Sequence, residues 1–305
     1  MRNLAPTAVL LALLATTAMS DDGVFEGSGG AIVLSRSDNV RMVAEEVVFD
    51  LTEANLIRVS CLFVVVNEGP DEQLLLGFPD YWPDPNDDSQ RADGKSTLQD
   101  LRISVDGVPV ETTAVPVSVA PDDIRAAFGG VVSYNCAHVW QCSFASGQAR
   151  VLRTEYSHPY SAMSDGSSII NYVLRTGASW KGPIGQVVLR IKRGAMRIKC
   201  PWYPTEWVLA GDEYVWSARE LEPDQDVGVA MADPLAFARH LVSNWRWHST
   251  SSSGDGADGA RGLLRESIRV GSPTPEFMVE VCSSLGDTVP DLRRCLEELL
   301  AAPTE

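Results

Sequence analysis

Apolar residues alternate with polar ones over most of the first three quarters of the chain. From Val40 to Phe49, "VRMVAEEVVF" keeps Val40, Met42 and Ala44 in phase, slips at Glu45 and Glu46, and resumes at Val47 to Phe49. A period of two marks a half-buried strand, and the slip marks an irregularity within it. "NLIRVSCLFVVVN", Asn55 to Asn67, is long and rich in β-branched residues. The turn signal "NEGPDE" then leads into "QLLLGFP", so two antiparallel strands followed by a third is the economical expectation.

Asp80 to Asp100, "DYWPDPNDDSQRADGKSTLQD", has no periodicity and many acids and turn formers, which predicts a surface loop. "LRISVDGVPVETTAV" follows as a hairpin about Asp106-Gly107, a dipeptide suited to the positive φ angles of a tight turn. "APDDIRAAFGG" predicts a short helix, with Pro121 in its first turn, Asp122 and Asp123 at the positive end of its dipole, and Gly129 to stop it. Strand patterns return in "ARVLRTEYSHPY", "SIINYVLRT", "GQVVLRIKR", "AMRIKCPWY", "EYVWSARELEP" and "DVGVAM". Short strands at this spacing, without long helices between them, predict a mainly β fold: an antiparallel β-sandwich of one or two subdomains over residues 21–232.

The pattern changes at Asp233. "DPLAFARHLVSNWRWH" has a capping aspartate, Pro234 at the first helical position, and Leu235, Ala238, Leu241, Val242 and Trp245 on one face. This predicts an amphipathic helix over 233–248. "STSSSGDGADGA", within 249–260, has the composition of a flexible linker. Beyond it, 261–305 reads as a C-terminal helical hairpin: Phe277, Val281 and Leu285 stack on one helix, and Leu292, Cys295, Leu296 and Leu299 on the next.

The first residues have the pattern of a secretory leader over 1–20. Arg2 supplies the basic end, Ala8 to Ala18 the apolar run, and Ala18 and Ser20 the small residues before Asp21. That run is shorter than the roughly 20 residues a membrane-spanning helix needs, so a periplasmic or secreted mature chain is expected. A formal net charge of −16 disfavours nucleic acid and anionic lipid as partners. An even six cysteines in an exported chain predict disulfides. Proximity pairs Cys136 with Cys142, the helical hairpin pairs Cys282 with Cys295, and elimination leaves Cys61 with Cys200.

Candidate chemistry is sparse. In "NYVLRTGASWKGPIGQVVLRI", Gly177 and Gly182 have the spacing of a phosphate loop, but Pro183 and Ile184 stand where lysine and a hydroxyl residue should be. The stretch is better read as two strands joined by "GASWKGPI", with Trp180 folded inward. "CAHVWQC" puts His138 between two cysteines at a spacing unlike a zinc site. Asp84, Asn86 and Asp88 begin like a calcium loop that Ser89 and Lys95 then break. No cofactor, metal or catalytic residue is therefore assigned. A secreted hydrolase remains as an alternative only if His138, His158, His240 or His248 meets an acid and a hydroxyl, or further metal ligands, in a cleft.

The aromatic span of Trp180, Trp202, Tyr203, Trp207, Tyr214 and Trp216 is the other signal. Exposed tryptophans stack on sugars or anchor protein partners. Trp180, Lys181, Trp202, Tyr203 and Trp207 are accordingly the candidate binding residues, for a protein or glycan of the cell envelope.

Several motifs also occur in a familiar order: Gly29-Gly30 leading into strands, Phe78-Pro79, then Tyr172, Leu174, Thr176, Gly177, Trp180 and Gly182, with Glu222-Pro223 after them. From Gly29 to Met231 the chain resembles the bacterial exported family called domain of unknown function 4424. That resemblance implies export and a β-rich fold and carries no catalytic residue; the cysteines and the helical tail lie outside it.

Overall fold

The computed structural model describes residues 19–20, 22–28, 31–80, 98–117, 136–159, 165–250, 264, 273–285 and 290–301. The first strands are β1 (Met19–Ser20), β2 (Gly23–Ser28), β3 (Ala31–Leu34), β4 (Val40–Asp50), β5 (Leu56–Asn67) and β6 (Glu72–Asp80). Then come β7 (Gln99–Val105), β8 (Val108–Pro109), β9 (Thr113–Pro116), β10 (Cys136–Phe144), β11 (Ala149–Pro159) and β12 (Ser168–Val173). The last are β13 (Ile184–Lys192), β14 (Arg197–Tyr203), β15 (Val208–Ala210), β16 (Glu213–Leu221) and β17 (Val227–Ala232). Three helices close the chain: α1 (Pro234–Thr250), α2 (Pro275–Leu285) and α3 (Pro290–Ala301). The expected short helix after Val119, the loop tip beyond Asp80 and the Gly/Ser segment after Thr250 lie outside the described residues.

The fold is a mainly β, mostly antiparallel sandwich with C-terminal helices, as the alternation predicted. An eight-stranded sheet, ordered β15-β16-β13-β4-β5-β11-β7-β8, lies against a five-stranded sheet, β3-β2-β6-β10-β9, and a four-stranded sheet, β1-β12-β17-β14. One hydrophobic core joins the three. Phe49, Phe63, Leu152 and Leu189 come from the large sheet, Leu76, Phe78 and Trp140 from the second, and Tyr172, Val229 and Met231 from the third. Parallel pairs occur at β4 with β13 and at β1 with β12.

Three details depart from the sequence pattern. The irregularity in β4 is a bulge between Met42 and Ala44, not at the glutamates. It restores the phase early enough that Glu45 faces the core with Val47 and Phe49, while Glu46 turns outward. The strand after β5 does not pair with it: β6 crosses to the second sheet, beside β2 and β10. β12 and β13 also lie in different sheets, and the segment between them holds a one-turn 3-10 helix, Arg175–Ser179. The Asp106-Gly107 hairpin agrees with expectation, with φ of 51° and 77° at the two turn residues.

The disulfide pairings are corrected. All six cysteines are buried, and none forms a bridge. Cys136 and Cys142 lie on the single strand β10, paired along its length with β6. Six residues of extended chain separate them by about 20 Å, far beyond the reach of a disulfide. Cys61 is on the large sheet and Cys200 on the four-stranded one, each packed among apolar neighbours. Cys282 and Cys295 do face a common core between α2 and α3, where they serve as small apolar residues.

The helices share a second core of Phe237, Leu241, Trp245, Phe277, Val281 and Leu292. Asp233 caps α1, its carboxylate accepting from the Leu235 N–H at 2.9 Å. Leu235 itself is exposed and Phe237 takes the inward position. Docking to the four-stranded sheet runs through β14. Thr274 donates its N–H to the Lys199 carbonyl at 2.6 Å, and its hydroxyl caps α2 by accepting from Phe277 N–H at 3.2 Å. Lys199 is buried with Nζ 2.5 Å from Asp165 and 5.0 Å from the centroid of Phe237.

Candidate functional site

Where β14 and β15, edge strands of two different sheets, approach the first turns of α2, a cleft of about 500 Å³ opens to solvent. Its apolar lining comes from Ile198 and Pro201 of β14, Trp207, Leu209 of β15, Tyr214 of β16 and Phe277 of α2. Local structure holds the rings in place. The Trp207 indole N–H donates to the Pro204 carbonyl at 2.8 Å, just after the cis Tyr203-Pro204 bond. The Tyr214 hydroxyl hydrogen-bonds the backbone of Ile198, and burial raises its pKa. With their polar groups occupied, both rings offer the cleft their apolar surfaces, which suits stacking or a cation.

The charged lining is Arg197, Glu206, Glu276 and Glu280. Arg197 is occupied: its guanidinium lies 2.9 Å from Glu280 and donates to the carbonyls of Gly194, Ala195 and Met196. Glu206 and Glu276 are exposed and make no ion pair among the described residues, so the cleft presents net negative charge.

The other predicted binding residues fall elsewhere. Trp180 is buried, at 2% exposure, and donates its indole N–H to the Asp22 carbonyl at 3.1 Å. It locks the segment inward, as its loop position suggested, and offers no surface to a ligand. Lys181 pairs with Glu68 at 3.0 Å. Trp202 is 52% exposed but covers Gly228 on the outer face of the four-stranded sheet. Tyr203 packs edge-on against Trp216, centroids 6.1 Å apart. Only Trp207 of the five lines the cleft. Sequence reasoning missed Glu206, Leu209 and α2, because nothing local in the sequence brings residues 198, 209 and 277 together.

The histidines are dispersed. His138 Nε2 sits 3.1 Å from the fully buried Asp80 carboxylate on the adjacent strand. His158 is buried beside the Pro159 carbonyl at 2.8 Å, and burial lowers its pKa. His240, on α1, contacts Asn244 at 2.9 Å. The side chain of His248 lies outside the described residues. No group of three or more His, Cys, Asp or Glu among the described residues is arranged to hold a metal.

A second polar feature is internal. Asp22 and Glu45 are both fully buried, and each keeps one carboxyl oxygen without a hydrogen bond. Tyr172 donates its hydroxyl to Glu45 at 2.9 Å, and Thr154 reaches Asp22 at 3.5 Å. Burial pushes the Glu45 pKa up to about 8 against the Tyr172 hydrogen bond, which lowers it. Asp22 is also driven well up, by burial first and by the neighbouring Glu45. Glu45 therefore holds its proton at neutral pH.

Residues 135–229 match the family model of a domain of unknown function, DUF4424. The Thr176-Gly177, Trp180 and Gly182 block lies within that segment. No curated protein matches the chain in sequence. Among solved structures, a Legionella pneumophila protein described as a "putative nutrient binding protein" aligns with a TM-score of 0.63 at 18% identity, over 94% of this chain and 91% of that one. Similarity at this identity shows a shared fold. An M1 zinc metallopeptidase of Deinococcus radiodurans aligns with a TM-score of 0.32 at 7% identity, over 65% of this chain and 44% of that one, too slight a likeness to carry inference. No helix among the described residues is long and apolar enough to cross a membrane.

Proposed function

We propose that this is an exported protein of the cell envelope, periplasmic or secreted, that binds a ligand without transforming it. The cleft between β14, β15 and α2 is its binding site. The carrying observation is the cleft itself, with two aromatic rings fixed by their own hydrogen bonds and apolar residues from three elements converging on one open volume. Pockets of this size and lining are where small ligands and short segments bind. A structural neighbour aligned over 91% of its chain and described as a "putative nutrient binding protein" supports a binding role. The leader pattern at residues 1–20 supports export.

The test is a thermal-shift and fluorescence screen of the mature chain against envelope glycans, amino acids and short peptides, run beside Trp207→Ala. A saturable response that Trp207→Ala abolishes is expected. If no ligand responds, or if the responses are indifferent to Trp207, the cleft is not the site. Amino-terminal sequencing of the exported protein should begin at Asp21; an uncleaved chain would count against export.

A further inference from the structure

Resting on that assignment of the cleft, we infer that its ligand is an extended basic peptide, which adds to β15 as a further strand. β15 is an edge: it pairs with β16 on one side, and no described strand takes the other. Natural sheet edges are usually guarded by charge, proline, a bulge, a covering element or shortness, and of these β15 has its length of three residues. β15 reads Val-Leu-Ala and carries neither charge nor proline; Val208 is 67% exposed and Leu209 53% exposed. Leu209 of β15 lines the cleft beside its cross-strand partner Tyr214, together with Phe277, Glu276 and Glu280 of α2. A strand added to the open edge would pair over about 10 Å for a three-residue ladder and set its alternate side chains on the sheet face that Leu209 shares with the cleft.

The lining specifies the side chains. In an added strand, alternate residues face the cleft. There an aliphatic stem can lie on Pro201 and Trp207 while its cationic head reaches Glu206 or Glu276. Those two carboxylates make no ion pair among the described residues, whereas Arg197, the cleft's own cation, is already held by Glu280. A cationic group over an indole face gains further attraction. An acidic peptide would meet three carboxylates of the same sign. A small free amine would satisfy the carboxylates and leave the β15 edge unused.

The experiment uses fluorescence anisotropy with a labelled hexapeptide alternating valine and lysine and the full mature protein. Its comparisons are a valine–glutamate counterpart, the lysine peptide N-methylated at alternate amides in each of the two registers, and spermidine as competitor. The lysine peptide should bind saturably and the glutamate peptide should not. N-methylation in one register should weaken binding roughly tenfold through lost main-chain bonds. Glu206→Gln combined with Glu276→Gln, both on the surface, should weaken it roughly fivefold with an unchanged melting temperature. Indifference to N-methylation in both registers, equal binding of the glutamate peptide, or full displacement by spermidine at equal concentration would overturn the strand-addition inference. In each case the cleft assignment survives if Trp207→Ala still abolishes the response. Binding of the lysine peptide that Trp207→Ala leaves intact would overturn both.

Discussion

Glu45→Gln removes a charge site from the core at almost constant volume, and its effect should depend on pH in a set direction. The folded-state pKa of Glu45 is raised from 4.5 to about 8, so between those values the folded protein holds a proton that the unfolded chain has released. Stability therefore falls as pH rises through that window. His158 works the other way: its pKa is lowered by burial from 6.5, so it costs stability as pH falls below that value. Above pH 6.5 the histidine adds only about 0.4 kcal/mol in the opposite direction, so the larger Glu45 slope can be read over it. From pH 6.5 to 8 the wild type should lose about 2 kcal/mol, at 1.36 kcal/mol per unit of unmatched protonation. Urea unfolding followed by tryptophan fluorescence measures this directly. Glu45→Gln should flatten most of the slope and be the more stable protein at pH 8, because its amide can still accept from Tyr172. A wild-type stability that is level from pH 6.5 to 8, or a Glu45→Gln protein with the wild-type slope, would refute the account of a protonated Glu45.

Trp180→Ala should cost about 3–5 kcal/mol in urea unfolding, as for other buried aromatics; a change under 1 kcal/mol would place the ring at the surface instead. Asp165→Asn leaves the buried Lys199 ammonium without its counter-charge beneath α1 and α2 and should cost about 3 kcal/mol, with Lys199→Met together with Asp165→Asn recovering much of it. Intact-mass analysis after alkylation should find all six thiols protected in the native protein and all six labelled in denaturant without reductant. A mass deficit of two hydrogens per cysteine pair would restore the disulfides.

Alternation identified most of the long strands, because a half-buried sheet imposes its period on the sequences that form one, but it left out β2, β3, β10 and β15. It could not assign strands to sheets. β5 and β6 are separated by a short turn that reads like a hairpin, yet the chain there crosses to the opposite layer. The phase slip in β4 was visible, but the glutamates attracted notice while the bulge sat at Val43. Cysteine parity suggested bridges that the extended geometry of β10 forbids. Trp207 could be singled out by residue type. Its partners in the cleft could not, since Ile198, Leu209 and Phe277 meet only through packing between the sandwich and the helix.

The parallel contact between β4 and β13 ties residue 45 to residue 187, and β11, inside the DUF4424 match, leans along its whole length on β5, outside it. Residues 135–229 are thus recognisable as a unit of ancestry without being a unit of folding. Expressed alone they would leave β10, β11 and β13 each without a long partner strand. In the intact chain the large sheet cannot be completed until β16 has been made, well over half of the way along the polypeptide.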